Sequence, residues 1–260
     1  MARVVRALAL FALGTLAFAM AAASGMDEPA TLARNAAATA LGLVAWAFAG
    51  ATLSGQPFAP RLGWLPSRLP PGVFVGLVFG MLALSQLAEW LIAFAGYEQV
   101  GNLPEFRRVL GEARGPSLGA ALVGVALLPG IAEELALRGF VQRGLHARFG
   151  AVVAVIVSSL LFALLHGEPV HAAGALLLGL YLGTIVALCG SIRPAMVCHV
   201  VNNAVATLGT AWALPWLGES AALLGAAIGP WALWRTALQA RAAHAPLGGS
   251  TEPAAPPRPR

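Results

Sequence analysis

The sequence predicts an all-α protein, a polytopic transmembrane bundle of about eight spans. Three observations predict it. Mean hydropathy is +0.77. Apolar residues make up 58% of the 260-residue chain and charged residues only 10%. The apolar residues also gather into segments near the ~18–20 residues that a bilayer's hydrocarbon core requires. Soluble domains hold about half apolar and a quarter charged residues, so a soluble class is excluded.

Eight apolar segments can be drawn, at about 4–24, 36–54, 73–96, 117–142, 149–166, 171–189, 194–213 and 215–236. The first, "MARVVRALALFALGTLAFAMAAASG", has the basic start, apolar run and small-residue end of a signal peptide as well as of an anchor. It is read as an uncleaved anchor helix; cleavage would leave seven spans in the same orientation. The later segments are rich in Ala, Gly and Leu, which suits helices that pack closely through small residues. Polar connections with turn residues separate them, such as "SGQPFAPRLGWLPSRLPPG" at 54–72. The division expected is 1–116 for N-terminal helices and loops, 117–213 for a core that holds the intramembrane polar motifs, 214–237 for a last transmembrane helix and 238–260 for a disordered cytoplasmic tail rich in proline. No internal repeat is evident.

The sixteen basic residues are all arginine, and against 11 acidic residues they give a formal charge of +5. No basic run exceeds two residues, which argues against a nucleic-acid partner and for a topology signal. Alternating sides puts Arg3, Arg6, Arg61, Arg68, Arg143, Arg148, Arg193, Arg235, Arg241, Arg258 and Arg260 on one face. Only Arg34, Arg107, Arg108 and Arg114 fall on the other, and Arg138 lies within a span. The positive-inside rule then places both termini in the cytoplasm. The all-arginine, alanine-rich composition points to a GC-rich bacterial genome, and the apolar spans then to a bacterial inner membrane. Cys189 and Cys198 lie in apolar segments without metal-site spacing and read as packing residues.

Against this background Glu133, Glu134 and Arg138 stand out. An ionisable side chain at a helix centre costs roughly 2.5–3.5 kcal/mol on insertion scales, so the three must be paired or hydrated. Glu134 and Arg138 are spaced i, i+4 with the acid first, the favourable order for an ion pair. Glu133 is rotated by ~100°, faces elsewhere and is free to act. Pro129-Gly130 just before removes a helix hydrogen bond and favours a kink. The bland alternative is the ragged end of a span.

Two further spans carry polar groups. Ser158, Phe162 and His166 follow at i, i+4, i+8 along one stripe, and His199 and Asn203 share a face from which Asn202 is turned away. Each alone reads as structural, since buried amides often join membrane helices. Together, a carboxylate, two imidazoles and an amide from three spans supply a base for water and donors for an oxyanion.

The motifs E-E-x-x-x-R (Glu133, Glu134, Arg138), F-x-x-x-H (Phe162, His166) and H-x-x-x-N (His199, Asn203) resemble, in that order, those of the membrane glutamic endopeptidases of the CAAX prenyl protease type 2 and bacteriocin-processing (CPBP or Abi) family. Gly139 and Phe140 extend the first motif, while Leu137 stands where many members have phenylalanine. The resemblance covers roughly 117–210. It implies that Glu133 is the base that activates water, that His166 helps hold that water, and that His199 and Asn203 stabilise the oxyanion. Glu134, Arg138 and Phe162 would support them. It further implies hydrolysis of a peptide or membrane-anchored protein without metal, cofactor or covalent intermediate, in a cavity expected to open toward the cytoplasm.

Two other functions compete. A zinc protease could use His166, His199 and Glu133, though H-E-x-x-H is absent. A non-catalytic transporter or scaffold could also use intramembrane polar groups. A geometric difficulty accompanies the protease reading. At ~1.5 Å per residue, Glu133 lies ~15 Å from Arg143, His166 ~27 Å from Arg148 and His199 ~9 Å from Arg193. A kink at Pro129, helix tilt or an interfacial stretch at 139–150 must absorb the mismatch.

Overall fold

A computed structural model describes residues 2–22 and 25–244. It is helical throughout, with eleven α-helices and two π-helical stretches among the described residues: α1 (Ala2–Ala22), α2 (Pro29–Ser54), α3 (Phe58–Arg61), α4 (Pro71–Phe94), α5 (Leu103–Gly111), α6 (Gly115–Ala121), α7 (Leu128–Glu133), α8 (Arg143–Leu165), α9 (Pro169–Cys189), α10 (Arg193–Ala211) and α11 (Pro215–His244). The π-helical stretches, Leu122–Leu127 and Glu134–Gln142, join α6, α7 and α8 into one continuous path. By length and composition four helical segments can cross a membrane: Pro29–Ser54, Pro71–Phe94, Gly115–Leu165 and Pro169–Cys189. That number is smaller than the eight expected: Gly115–Leu165 runs two of the expected segments together, and α1, α10 and α11 are not among the four. The expected tail from 245 onward lies outside the described residues, whereas 238–244 continue α11, as their run of Leu, Gln, Ala and Arg favours.

Local chemistry sets the helix starts. Proline occupies the first turn of α2, α4, α5, α6, α9 and α10, where its missing N–H would have had no partner anyway. Gly55 and Gly190 close α2 and α9 in the left-handed conformation. The core runs along α2, α4, α7, α9 and α10, with Leu77, Met81, Leu182, Ile185 and Cys198 wholly enclosed. Cys189 and Cys198 are free thiols.

The depth mismatch is absorbed along residues 115–150. The backbone is wound more widely at 122–127 and 134–142, and it leaves helical geometry at Gly150 (φ 80°, ψ 173°). Only glycine takes that φ without strain. Residues 143–149 therefore run apart from the membrane-crossing part of α8, so His166 is not carried a full span away from Glu133. At Pro129 the backbone stays helical, directly after the π-helical stretch 122–127.

Candidate active site

Glu133 ends α7, and Glu134 and Arg138 follow on the π-helical stretch. Glu134 and Arg138 are fully buried, with Oε1 and Nη1 3.1 Å apart. Two charges are tolerated there because each has further partners. Arg138 Nη2 donates to the Gly179 carbonyl at 3.1 Å, and the guanidinium carbon lies 4.4 Å above the Phe162 ring. Glu134 Oε1 also meets His199 Nδ1 at 3.1 Å. A carboxylate can only accept, so Nδ1 carries the proton and Nε2 points the other way.

Glu133 occupies that other side. Its Oε2 is 3.8 Å from His199 Nε2, beyond hydrogen-bond range, and it is buried without a hydrogen-bond partner. The approach depends on Gly130, where an added Cβ would lie 2.7 Å from Val200 Cγ2 and 3.0 Å from the Val200 nitrogen. The glycine is needed for contact between α7 and α10.

His166 terminates α8. Its Nδ1 lies 2.8 Å from the Phe162 carbonyl, which can only accept. In the neutral ring this leaves Nε2 as an acceptor. Phe162 is the hub, with the His166 and His199 rings edge-on to it at 5.0 and 5.5 Å. Ser158, one turn back on the stripe, donates to Gln142 Oε1 at 3.0 Å and braces α8 against the π-helical stretch.

All four residues proposed for the reaction, Glu133, His166, His199 and Asn203, line one cavity of about 330 Å³, within the range of small-molecule and peptide-side-chain pockets. Among the described residues no three His, Cys, Asp or Glu side chains converge as a metal-ligand set.

Several neighbours were not singled out from the sequence. Asn202, expected to turn away, also lines the cavity; its Nδ2 donates to Asn203 Oδ1 at 3.3 Å and so fixes which end of the Asn203 amide is presented. Asn203 Nδ2 then faces the Val125 carbonyl at 3.5 Å, a weak contact that leaves donor capacity. His171 lies 4.7 Å from His166, ring to ring. It is placed by Glu168, whose carboxylate caps α9 by accepting from the backbone N–H of Val170 and His171 at 2.9 and 2.8 Å. Those two bonds hold the Glu168 carboxyl below the usual range. Helical spacing could not flag His171, which belongs to the helix after the F-x-x-x-H motif and meets His166 only through the turn at Gly167.

The cavity lies between the last turns of α4 (Glu89, Ile92), α5 (Phe106, Arg107), the start of α9 and the last turns of α10. These elements meet at the end of the bundle opposite the arginine-rich connections. At the arginine-rich end, Arg61 donates to the carbonyls of Gly139 and Phe140 and Arg143 to that of Gly190.

Apolar helices of membrane-crossing length thus surround a buried acid–imidazole–amide cluster, as in an integral membrane protein. Residues 115–205 match the family model described as Rce1-like, type II CAAX prenyl endopeptidase Rce1-like. The family recognised from the three motifs is thus the one this segment matches, and the match indicates a membrane endopeptidase. No curated protein and no solved structure matches the chain.

Proposed function

We propose that the protein is an intramembrane glutamic endopeptidase that hydrolyses a peptide bond with water activated by Glu133. The observation that carries this reading is the Glu133 Oε2 atom, buried, unpartnered and facing the same cavity as His199 Nε2 and His166. An unsatisfied buried carboxylate oxygen is costly unless it serves a ligand or a reaction.

In the proposed reaction a water sits between Glu133 and His166, whose Nε2 accepts one of its protons as a hydrogen bond. Glu133 removes the other proton as oxygen attacks the scissile carbonyl. Negative charge then develops on the carbonyl oxygen, and the His199 Nε2–H and Asn203 amide stabilise it. For His199 to donate from Nε2 while Nδ1 donates to Glu134, the ring must carry both protons. An imidazolium there also brings the buried group of two carboxylates and one guanidinium to zero net charge. Collapse of the intermediate passes the proton from Glu133 to the leaving amine, giving a carboxylic acid, which then ionises in solvent, and a free amine, with no covalent enzyme adduct.

Glu133→Gln keeps the shape and removes the base. The expected result is loss of cleavage, measured on a membrane-protein substrate set by the appearance of new peptide termini, with unchanged insertion and accumulation. Normal turnover in this variant overturns the assignment.

A further inference from the structure

The charged side chains are sorted to opposite ends of the bundle. One end, made of the connections around 55–70, 143–150 and 190–193 and the far part of α11, carries Arg61, Arg68, Arg143, Arg148, Arg193 and Arg235. Among the described residues it carries no acidic side chain. The other end carries Arg34, Arg107, Arg108 and Arg114 together with every described acidic side chain except Glu133 and Glu134. Two of its four arginines are offset by ion pairs, Arg107 with Glu89 and Arg108 with Glu105 and Glu112. Short connections poor in arginine and lysine are the ones that cross a membrane.

Exposed aromatic residues mark the two interfaces. Phe58, Trp64 and Phe149 stand at the arginine end, and Trp90, Phe94, Tyr97 and Trp212 at the acidic end, as in the belts that sit at headgroup level. The Arg61 guanidinium is held somewhat below its usual range by burial and by the neighbouring Arg143, with no carboxylate at that end to offset the pair. The candidate site is walled from this end by the wholly buried Glu134, Arg138 and Gln142. Its mouth, at Glu89, Arg107, His171 and Thr210, is at the acidic end.

We infer that the protein takes its substrate from the non-cytoplasmic side of the membrane: a peptide segment, free or membrane-anchored, that has already been translocated. The inference rests on the endopeptidase reading for the word substrate, but the side of the mouth follows from charge and geometry alone. The step that supplies the substrate is therefore transport across, or insertion into, the bilayer with the scissile bond on the far face. A chain end modified and retained in the cytoplasm meets the closed, arginine-rich end.

The test uses the full chain in bacterial inner membranes of intact spheroplasts, treated with a membrane-impermeant maleimide. Thr210→Cys reports the mouth and Gln56→Cys the arginine end. Glu98→Cys and His146→Cys, both exposed and far from the cavity, repeat the comparison should Thr210→Cys fail to fold. The wild type, with buried Cys198 and partly buried Cys189, is the background control. The expected result is labelling of Thr210→Cys and Glu98→Cys before permeabilisation, and of Gln56→Cys and His146→Cys only after it. The opposite pattern, or equal labelling of both ends in intact spheroplasts, overturns the inference. Labelling does not need activity. Wild-type protein that cleaves nothing, with Thr210→Cys labelled from outside, therefore defeats only the endopeptidase reading, and active wild type with Thr210→Cys labelled only from inside defeats only this one.

Discussion

Where α4 crosses α11, glycine meets glycine. A Cβ added to Gly229 would lie 2.7 Å from the Gly80 Cα, and one added to Gly76 would lie 2.7 Å from the Ala232 Cβ. Where α7 crosses α10, Gly130 gives a similar close approach to Val200, yet the residues brought together are Glu133, Glu134, Arg138 and His199. At the first contact the buried Thr236 Oγ1 donates within its own helix to the Ala232 carbonyl at 2.8 Å. The second holds Glu133 Oε2, Glu134 Oε2 and Arg138 Nε without hydrogen-bond partners. Both use small residues to bring helices together, which in lipid is a main source of association. Only the second spends stability on groups poised for something else.

The sharpest way to break the comparison is at Arg138. Removing one partner of a buried ion pair costs about 3–5 kcal/mol, because the other charge is left uncompensated. Arg138→Met is expected to lower thermal stability in detergent by an amount of that order. Replacing Glu134 as well, in Glu134→Leu/Arg138→Met, should recover much of the stability but not the activity, since His199 then loses the carboxylate that fixes its ring. Recovery of both would mean the pair is only structural.

Asn203 comes next. Loss of one oxyanion donor typically lowers kcat by ~10²–10³, or about 2.7–4 kcal/mol. Asn203→Leu should show a fall of this size with nearly unchanged KM and stability. A fall in stability with kcat per folded molecule intact would move Asn203 to the packing side of the comparison.

At the α4–α11 contact the expectation inverts. Gly229→Val forces a side chain against the Gly80 backbone, and overpacking of this kind costs about 1–3 kcal/mol. Thermal unfolding should register it, while kcat measured on the folded fraction stays at the wild-type value. A change in kcat would show that this interface couples to the site.

How much of this is legible in the residues alone divides along the same line. The helical class, the apolar segments and the three motifs follow from periodicity and from the cost of charge in lipid, and the Glu134–Arg138 pair follows from i, i+4 spacing. Three features do not follow. The π-helical winding at 122–127 and 134–142 leaves no sequence signal that helical spacing can distinguish from an α-helix. Helical spacing turns Asn202 away by a ~100° rotation from Asn203, yet a cavity between helices has walls on both sides. The direction of the mouth requires knowing which helix ends leave a gap. Gly150 alone, as a glycine between Phe149 and a run rich in valine, hints at the break that relieves the depth mismatch.

The smallest expected effect lies at the mouth. Arg107 and Glu89 form an ion pair between α5 and α4 whose side chains are 36% and 47% exposed, so water and salt screen it and its worth is about 0–1 kcal/mol. Neither residue touches the Glu133–His199 pair. Arg107→Gln should therefore leave kcat and thermal stability nearly unchanged. What it loosens is the tie that holds Phe106 and the rest of α5 over the opening, so the expected change is in KM, and it should shrink as salt is raised in the wild type because the same pair is then screened. The comparison with Asn203 makes the measurement decisive. A residue that lines the cavity to guide a chain inward shifts KM alone, whereas one that meets the developing charge shifts kcat. If Arg107→Gln instead lowers kcat by as much as Asn203→Leu, the guanidinium reaches the reacting carbonyl and the mouth belongs to the chemistry.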